Sequence, residues 1–113
     1  MEEVLNEWLG PVGADTWAYL GAPVPGPGTF VALVSAPLSD TETMTTQVIL
    51  NPEDIGSPAM VEERTIGPTE LGGIYAGFQS SPVPLVDDTW LLNCRAKHDS
   101  TTSQSFSVRV IKL

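Results

Sequence analysis

The sequence is poor in cysteine, histidine and positively charged residues. Cys94 and His98 are single representatives of their kinds among 113 residues, so no disulfide can form within the chain. Five lysines and arginines stand against fourteen aspartates and glutamates, which gives a formal net charge of −9. Because such a chain repels phosphate backbones, we expect no nucleic-acid partner. No apolar run approaches the ~20 residues that cross a bilayer, so we expect no membrane segment.

The residue patterns of catalytic and metal centres are also missing. No spacing of cysteine and histidine suits zinc, and Gly26-Pro27-Gly28 lacks an amide that a phosphate cradle needs. A nucleophile needs a base that a third group holds in place. Asp99 follows His98 directly, but neighbouring residues of a strand point to opposite faces. The sequence therefore predicts a non-enzymatic protein without cofactor or metal.

Three features have both a structural and a chemical interpretation. His98 is expected to lie in solvent at the end of a strand, where it could act as a base in the alternative view. Cys94 is expected to be a small core residue and not a nucleophile, since it follows the apolar stripe of its strand. Asp87 and Asp88, with Asp99 or Glu70, could offer oxygens to calcium. Calcium takes six or more oxygens, so a solvated turn is the simpler interpretation.

The negative charge is concentrated in the first half of the chain. Residues 1–63 contain ten acids and no lysine or arginine, whereas residues 64–113 contain four acids and all five bases. The two parts therefore carry −10 and +1. This asymmetry either keeps the protein soluble or allows the acidic half of one copy to meet the basic strands of a neighbouring copy.

The first 28 residues differ in pattern from the rest. Residues 2–9, EEVLNEWL, place apolar residues at helical spacing, so we predict a short helix there and a second one within ADTWAYLG, residues 14–21. Neither is long enough to be stable alone, so each needs a surface to lie on. APVPGPG, residues 22–28, favours polyproline II and would span ~20 Å as a stiff linker. The sequence thus predicts an N-terminal arm over residues 1–21.

From Thr29 onward, apolar and polar residues alternate with the period of a β-strand. Turn residues separate the alternating stretches. We predict six strands, over residues 30–36, 45–50, 60–66, 74–79, 89–97 and 105–113. Such spacing is typical of an antiparallel sandwich or small barrel. The predicted fold class is all-β, with six to seven strands in a domain over residues 29–113 and an extended or short-helical N-terminal arm.

The last two predicted strands have the clearest pattern. In TWLLNCRAKH the apolar residues are predicted to face one way and the basic residues the other, and SFSVRVIKL places Phe106, Val108 and Val110 inward. DSTTSQ would join the two strands as a hairpin. Residues 87–113 resemble the last two strands of immunoglobulin-like and fibronectin type III-like modules. In those modules an aromatic residue opens the penultimate strand and a polar loop leads into an FxVxV ending. The resemblance implies an immunoglobulin-like sandwich.

The apolar residues of the N-terminal arm, which we also call the leader, predict a protein that functions by contacting other surfaces. Its candidate contact residues are apolar or aromatic: Val4, Leu5, Trp8, Trp17 and Tyr19. They would dock either on the protein's own sandwich or on a neighbouring subunit. In general plan the chain resembles the small accessory virion proteins of tailed bacteriophages, such as capsid decoration (cement) proteins. The resemblance implies a homo-oligomer in the virion that contacts the major capsid protein or copies of itself and stabilises the shell through many weak contacts.

Two other classes of function stay open. An immunoglobulin-like binding module could recognise carbohydrate or protein at a cell surface through aromatics such as Tyr75 or Phe78. The single cysteine and the acidic start MEEVLNEWLG, which lacks the pattern of a secretion signal, weigh against this class, and we expect synthesis in the cytoplasm. A small enzyme would depend on His98. If the leader is an anchor, a chain that begins at Thr29 is expected to fold but to lose its partner.

Overall fold

Two antiparallel β-sheets form the structure, a computed structural model that describes residues 1–52, 57–68 and 75–113. Ten strands lie within these residues: β1 (Glu2–Val12), β2 (Ala18–Tyr19), β3 (Val24–Pro25), β4 (Gly28–Pro37), β5 (Met44–Pro52), β6 (Ala59–Ile66), β7 (Tyr75–Gln79), β8 (Val83–Leu85), β9 (Trp90–His98) and β10 (Gln104–Lys112). The prediction of an all-β fold with two antiparallel sheets is confirmed.

Each sheet has four strand positions. Sheet A has the order β1-β10-β4-β7, and β8 also pairs with β4. Sheet B has the order β2-β9-β5-β6, and β3 also pairs with β9. Since β7 and β8 pair with successive parts of β4, they form one interrupted edge of sheet A. In the same way, β2 and β3 form one interrupted edge of sheet B along β9.

Strands from the first half of the chain pair with strands from the second half, the outermost with the outermost and the innermost with the innermost. Successive pairs are Glu2 with Lys112, Ala18 with Ala96, Phe30 with Val83 and Met44 with Ile66. Each pair joins residues that are nearly equidistant from the two ends of the chain, so the strand pairs form one long antiparallel ribbon. Rolling this ribbon brings β10 beside β4 and β9 beside β5, which completes the two sheets.

The core lies between the sheets and is built from alternate residues of each strand. Phe106, Val108 and Val110 of β10 are fully buried, as their alternation predicts. Phe30 and Val34 of β4 face the same interior. Removing this apolar surface from water is the main favourable contribution to folding.

The predicted N-terminal helices are wrong, because both segments form strands. β1 pairs along most of its length with β10, and Ala18–Tyr19 pairs with β9. Apolar spacing in the leader fits a helix, but it also fits a strand that turns Leu5 and Leu9 toward the core. Pairing with β10 satisfies the backbone groups of the segment, whereas a helix of eight residues is marginal on its own.

Residues 22–28 pack against the sandwich. Val24 is 7% exposed and pairs with Leu92 of β9. Gly26 lies so close to Asp87 that a methyl group added at Gly26 would stand 2.2 Å from the Asp87 carbonyl oxygen. The segment predicted as a linker therefore guides the chain from sheet B to sheet A along the surface of its own domain. Residues 1–21 and 29–113 share both sheets.

Gly26→Ala is expected to destabilise the protein by about 2 kcal/mol or more, because the added methyl group forces the Asp87 backbone to move. Gly21→Ala is a matched control, since a methyl group there meets no atom within 4 Å. The free energy of unfolding from urea titrations would test the difference. Equal stability of the two variants would contradict the close approach of Gly26 to Asp87.

The six predicted strands correspond to β4, β5, β6, β7, β9 and β10, with described ends that differ by at most two residues. Ile74, the predicted first residue of one strand, lies outside the described residues. The predicted number of six to seven strands is too low, because β1, β2, β3 and β8 were not predicted as strands. Proline in β3 and β8 and helical spacing in β1 concealed them.

The predicted hairpin between the last two strands is wrong. β9 pairs with β2, β3 and β5 in sheet B, while β10 pairs with β1 and β4 in sheet A. The connection between them therefore crosses from one sheet to the other. Asp99 holds the start of this connection near β5, because its carboxylate accepts hydrogen bonds from the amide of Thr43 at 2.7 Å and from its hydroxyl at 2.9 Å.

Candidate functional site

The five predicted contact residues lie on two different sheets. Val4, Leu5 and Trp8 belong to β1 at the edge of sheet A. Tyr19 belongs to β2 at the edge of sheet B, and Trp17 precedes it directly. The structure therefore does not bring the five residues together, and the outer faces of the two sheets are separate candidate surfaces.

On sheet A, Val4 and Trp8 are exposed and Leu5 packs against the core. Trp8 is 69% exposed and Val4 is 37% exposed. Trp8 pairs with Ser107 of β10, so its backbone is fixed while its ring stands in solvent. A large apolar side chain that a rigid strand holds in solvent is typical of a contact residue.

On sheet B, Trp17 and Tyr19 hold the Arg95 guanidinium. This group lies 4.2 Å from the centre of the Trp17 ring and 5.6 Å from the centre of the Tyr19 ring. Arg95 Nη1 also donates a hydrogen bond to the Tyr19 hydroxyl at 2.8 Å. Lys97 Nζ is 4.8 Å from the Trp17 ring centre. Because these cations contact the rings within one molecule, the two aromatic residues tie β2 to β9. Trp17 is half-buried by them, whereas Tyr19 remains 52% exposed.

The acidic and basic halves of the chain meet within one molecule. On sheet A, Arg109 Nε donates a hydrogen bond to the Glu3 carboxylate at 2.9 Å. On sheet B, Arg95 Nε donates to Gln47 at 2.6 Å, and the Gln47 amide donates to Glu63. The rolled ribbon places the first half of the chain beside the second, so the charge asymmetry has an explanation that needs no neighbouring copy.

The outer face of sheet A contains a row of small residues that ends at an exposed indole ring. In strand register the row consists of Gly77, Ser35, Ser107 and Trp8. The three small residues leave an open recess of about 320 Å³, which we call the trough. Leu33, Gln79 and Arg109 also line it. Because Trp8 is 69% exposed, its ring does not fill the trough of its own molecule.

The same face becomes apolar toward the chain ends. Five residues surround a second recess of about 180 Å³ together with Gln79: Met1, Val31, Leu33, Ile111 and Leu113. Leu113 is 56% exposed and Val31 is 8% exposed. This apolar region continues the trough through the shared residues Leu33 and Gln79. The two recesses make one extended surface across sheet A.

Cys94 lies in the core, as predicted, and is 1% exposed. Burial, with a smaller contribution from the Glu7 carboxylate, raises the pKa of the thiol to about 12. A cysteine nucleophile requires the thiolate. The Cys94 side chain is therefore suited to packing between the sheets and poorly suited to catalysis.

Native protein is expected to leave Cys94 unmodified by a colourimetric thiol reagent at neutral pH, since the thiol is both buried and protonated. In denaturing urea the same reagent should modify one thiol per chain. The time course of modification gives the measurement, and the denatured sample is its control. Native protein that reacted at the rate of denatured protein would contradict the burial of Cys94.

The expectation that His98 lies in solvent is wrong, because the residue is 2% exposed. His98 Nδ1 accepts a hydrogen bond from the Ser100 amide at 3.0 Å, and Nε2 lies 2.7 Å from the Val12 carbonyl oxygen. This arrangement assigns the ring hydrogen to Nε2, which donates to Val12. Both nitrogens are thus occupied in holding β1 and the connection after β9 together.

The structure separates the oxygens that were considered for calcium. Asp87 precedes β9 and Asp99 follows it, so they lie at opposite ends of a nine-residue strand. The Asp87 carboxylate accepts hydrogen bonds from the hydroxyl and the amide of Thr89, and these bonds stabilise a turn. They also lower the pKa of the Asp87 carboxyl, the hydroxyl more than the amide. Glu70 lies outside the described residues. In residues 1–52, 57–68 and 75–113, no group of three or more His, Cys, Asp or Glu side chains is placed to hold a metal ion.

The expectation that Phe78 offers an exposed aromatic surface for carbohydrate is wrong. Phe78 is 3% exposed, and the Arg64 guanidinium lies 5.8 Å from the centre of its ring. The side chain of Tyr75 lies outside the described part of the structure. Among the aromatic side chains of sheet A that the structure describes, Trp8 is instead the exposed one, and it lies beside a recess.

Sequence reasoning missed the trough, because its residues are far apart in the chain. Ser35, Gly77 and Ser107 meet only when β7, β4 and β10 are neighbours in register. The alternation pattern places Ser35 and Ser107 at outward positions of their strands. A search for small, uncharged outward residues would have found these candidates, but the strand order was needed to join them.

Comparison with known proteins identifies no relative from which a function could be inferred. The described residues contain no helix with the length and apolarity that a membrane crossing requires. The chain matches no protein-family model, no curated protein and no solved structure. Its function is therefore inferred from the residues, register and charges described above.

Proposed function

We propose that the protein is a non-enzymatic assembly protein, of the kind that decorates and stabilises the capsid of a tailed bacteriophage. It binds other virion proteins through the outer face of sheet A. The observation that carries this proposal is Trp8, which is 69% exposed on a fixed strand beside the trough. Tryptophan is enriched among the residues that dominate protein interfaces, and charged residues are depleted at interface centres.

The strand order supports a structural role. We assign the sandwich to the jelly-roll arrangement in preference to the immunoglobulin one, for two reasons. The first strand of the chain pairs with the last, and the last two strands lie in different sheets. In immunoglobulin domains the last two strands are neighbours in one sheet. Jelly rolls occur in viral capsid and lectin domains. This is an analogy of fold, so the surface residues must carry the functional argument.

The leader acts in this proposal as a fixed strand and not as a mobile arm. β1 is already paired with β10 before any partner arrives. Binding through Trp8 therefore does not have to order a disordered segment, which lowers the entropic cost of association. Val4 lines a different recess, together with residues 22–27, Phe30 and Lys112. Leu5, Trp17 and Tyr19 serve the protein's own sandwich through the contacts described above.

The environments of the two most reactive side chains support a non-enzymatic role. The Cys94 thiol is buried, and burial raises its pKa to about 12. The His98 ring uses both nitrogens in hydrogen bonds within the fold. Neither side chain is therefore free to attack or to deprotonate a substrate in this arrangement.

Particles purified from the source of the sequence provide the test. Quantitative mass spectrometry should find the chain in a copy number comparable to that of the major capsid protein, and purified chain should rebind particles from which it has been stripped. Trp8→Ala should weaken rebinding at least ~10-fold, as expected for a central aromatic contact. Met60→Ala is the matched control, since Met60 is 61% exposed on β6 of sheet B. Absence of the chain from particles would refute the proposal.

Glycan binding is a second candidate, favoured by the polar residues that line the trough. Gln79, Arg109 and the serines of the row stand beside the exposed Trp8 ring, and an aromatic platform with nearby polar groups suits a sugar. A glycan array with the full chain would show one sugar class bound, and Trp8→Ala would abolish the signal. A blank array would remove this candidate.

A further inference from the structure

The outer face of sheet A is self-complementary in shape. Trp8 projects from one end of the row, and Ser107, Ser35 and Gly77 leave the trough open beside it. The ring stays exposed and does not fill the trough of its own molecule. One face thus presents both a large apolar projection and a recess that is floored by small residues and bordered by Leu33, Gln79 and Arg109.

Charge favours this face for contact between two copies. The chain carries a net charge of −9, which opposes self-association over most of its surface. Among the described residues, the outward side chains of sheet A include one ion pair, Glu3 with Arg109 at 2.9 Å, and are otherwise uncharged. The outer face of sheet B carries Arg95, Lys97 and Glu63. Contact between two copies through sheet A therefore brings fewer charged side chains together than contact through sheet B.

A two-fold axis would convert the projection and the trough into two equal contacts, because each copy gives and receives the same group. We propose that the partner of this face is a second copy of the chain, with Trp8 of each copy seated in the trough of the other. The apolar region around Val31, Ile111 and Leu113 extends the same surface and adds buried apolar area. The inference rests on the proposed function, since it names the partner of the face assigned there to docking.

Sedimentation velocity of the purified full chain tests the inference without any virion component. The wild-type chain is expected to sediment as a dimer at micromolar concentration. Trp8→Ala removes the projection and Ser35→Leu fills the trough, and each should raise the dimer dissociation constant at least ~10-fold. Circular dichroism would verify that both variants are folded, which is expected because both side chains point outward from paired strands. Gly77→Leu is a second trough-filling variant if Ser35→Leu fails to fold.

Mixing the two variants tests the geometry directly. In a mixed pair, Trp8 of the Ser35→Leu chain faces the open trough of the Trp8→Ala chain, so one of the two contacts is restored. The other contact places an alanine opposite the filled trough and creates no clash. An equimolar mixture should therefore form more dimer than either variant alone, and Met60→Ala should dimerise like the wild type.

Three outcomes would overturn the inference. The wild-type chain could stay monomeric over the whole concentration range. The dimer could persist unchanged in both Trp8→Ala and Ser35→Leu, which would place it on another face. The wild type could be monomeric and bind a glycan through Trp8. A monomeric chain that still rebinds stripped particles would refute the dimer and leave the proposed function standing, whereas a dimer absent from particles would do the reverse.

Discussion

A chain that begins at Thr29 is expected not to fold. The deletion removes β1, β2 and β3, and with them one edge of each sheet. It also removes Leu9, Leu20 and Val24 from the core, each of which is at most 7% exposed in the full chain. Burying one such side chain contributes ~1.5–3 kcal/mol, so the loss approaches the whole stability of a small domain, ~5–15 kcal/mol.

Circular dichroism and thermal melting would measure this effect. The truncated chain should lack a cooperative transition, and β9 and β10, now edge strands with open backbone groups, should promote aggregation. A synthetic peptide of residues 1–28 added in trans is the informative control, because it should restore part of the β signal. A cooperative melt within a few degrees of the full-length chain would show that residues 29–113 fold alone.

The sequence suggested the opposite result for this truncation, and β1 explains why. The apolar residues of the leader satisfy a helical and a strand pattern at the same time. Glycine and proline after Leu9 and in residues 22–28 read as boundaries. Long-range pairing with β10 decides between the two patterns, and local sequence carries no information about that pairing. The same limit applies to DSTTSQ, which fits a hairpin loop as well as a crossing between sheets.

Alternation was reliable wherever a strand had one buried face. The six strands predicted from Thr29 onward and the inward set Phe106, Val108 and Val110 all agree with the structure. Their period of two follows directly from the geometry of a sheet with one face packed against another. Strand order has no comparable local signal, so the two-sheet fold could be predicted and the rolled ribbon could not.

Of the candidate surface on sheet A, Trp8 could be predicted from the sequence, whereas the trough beside it could not. The sequence predicts Trp8 as a contact residue because it is aromatic and lies in the N-terminal arm, and the structure places it in solvent. The same reasoning predicts Trp17, yet its ring lies beneath Arg95 and Lys97. The difference depends on which cations the strand β9 brings beside β2. Sequence composition cannot distinguish a tryptophan that binds a partner from one that binds its own sheet.

His98→Ala is expected to destabilise the protein by about 3 kcal/mol, through a cavity beside Phe106 and through two backbone groups left without partners. The His98 and Phe106 rings are 5.9 Å apart, and the imidazole bonds both the Val12 carbonyl and the Ser100 amide. Val12 ends β1 and Ser100 lies in the connection that crosses between the sheets, so the His98 side chain joins two segments that do not pair with each other as strands.

Urea titration of His98→Ala beside Thr101→Ala would measure this contribution, since Thr101 is exposed in the same connection. The control should stay within about 0.5 kcal/mol of the wild type, as surface substitutions usually do. A wild-type free energy of unfolding in His98→Ala would contradict the buried role. An enzyme that used His98 as a base would show the reverse pattern, with stability preserved and activity lost. Measuring the stability of His98→Ala therefore distinguishes a His98 that holds the fold together from a His98 that acts as a catalytic base.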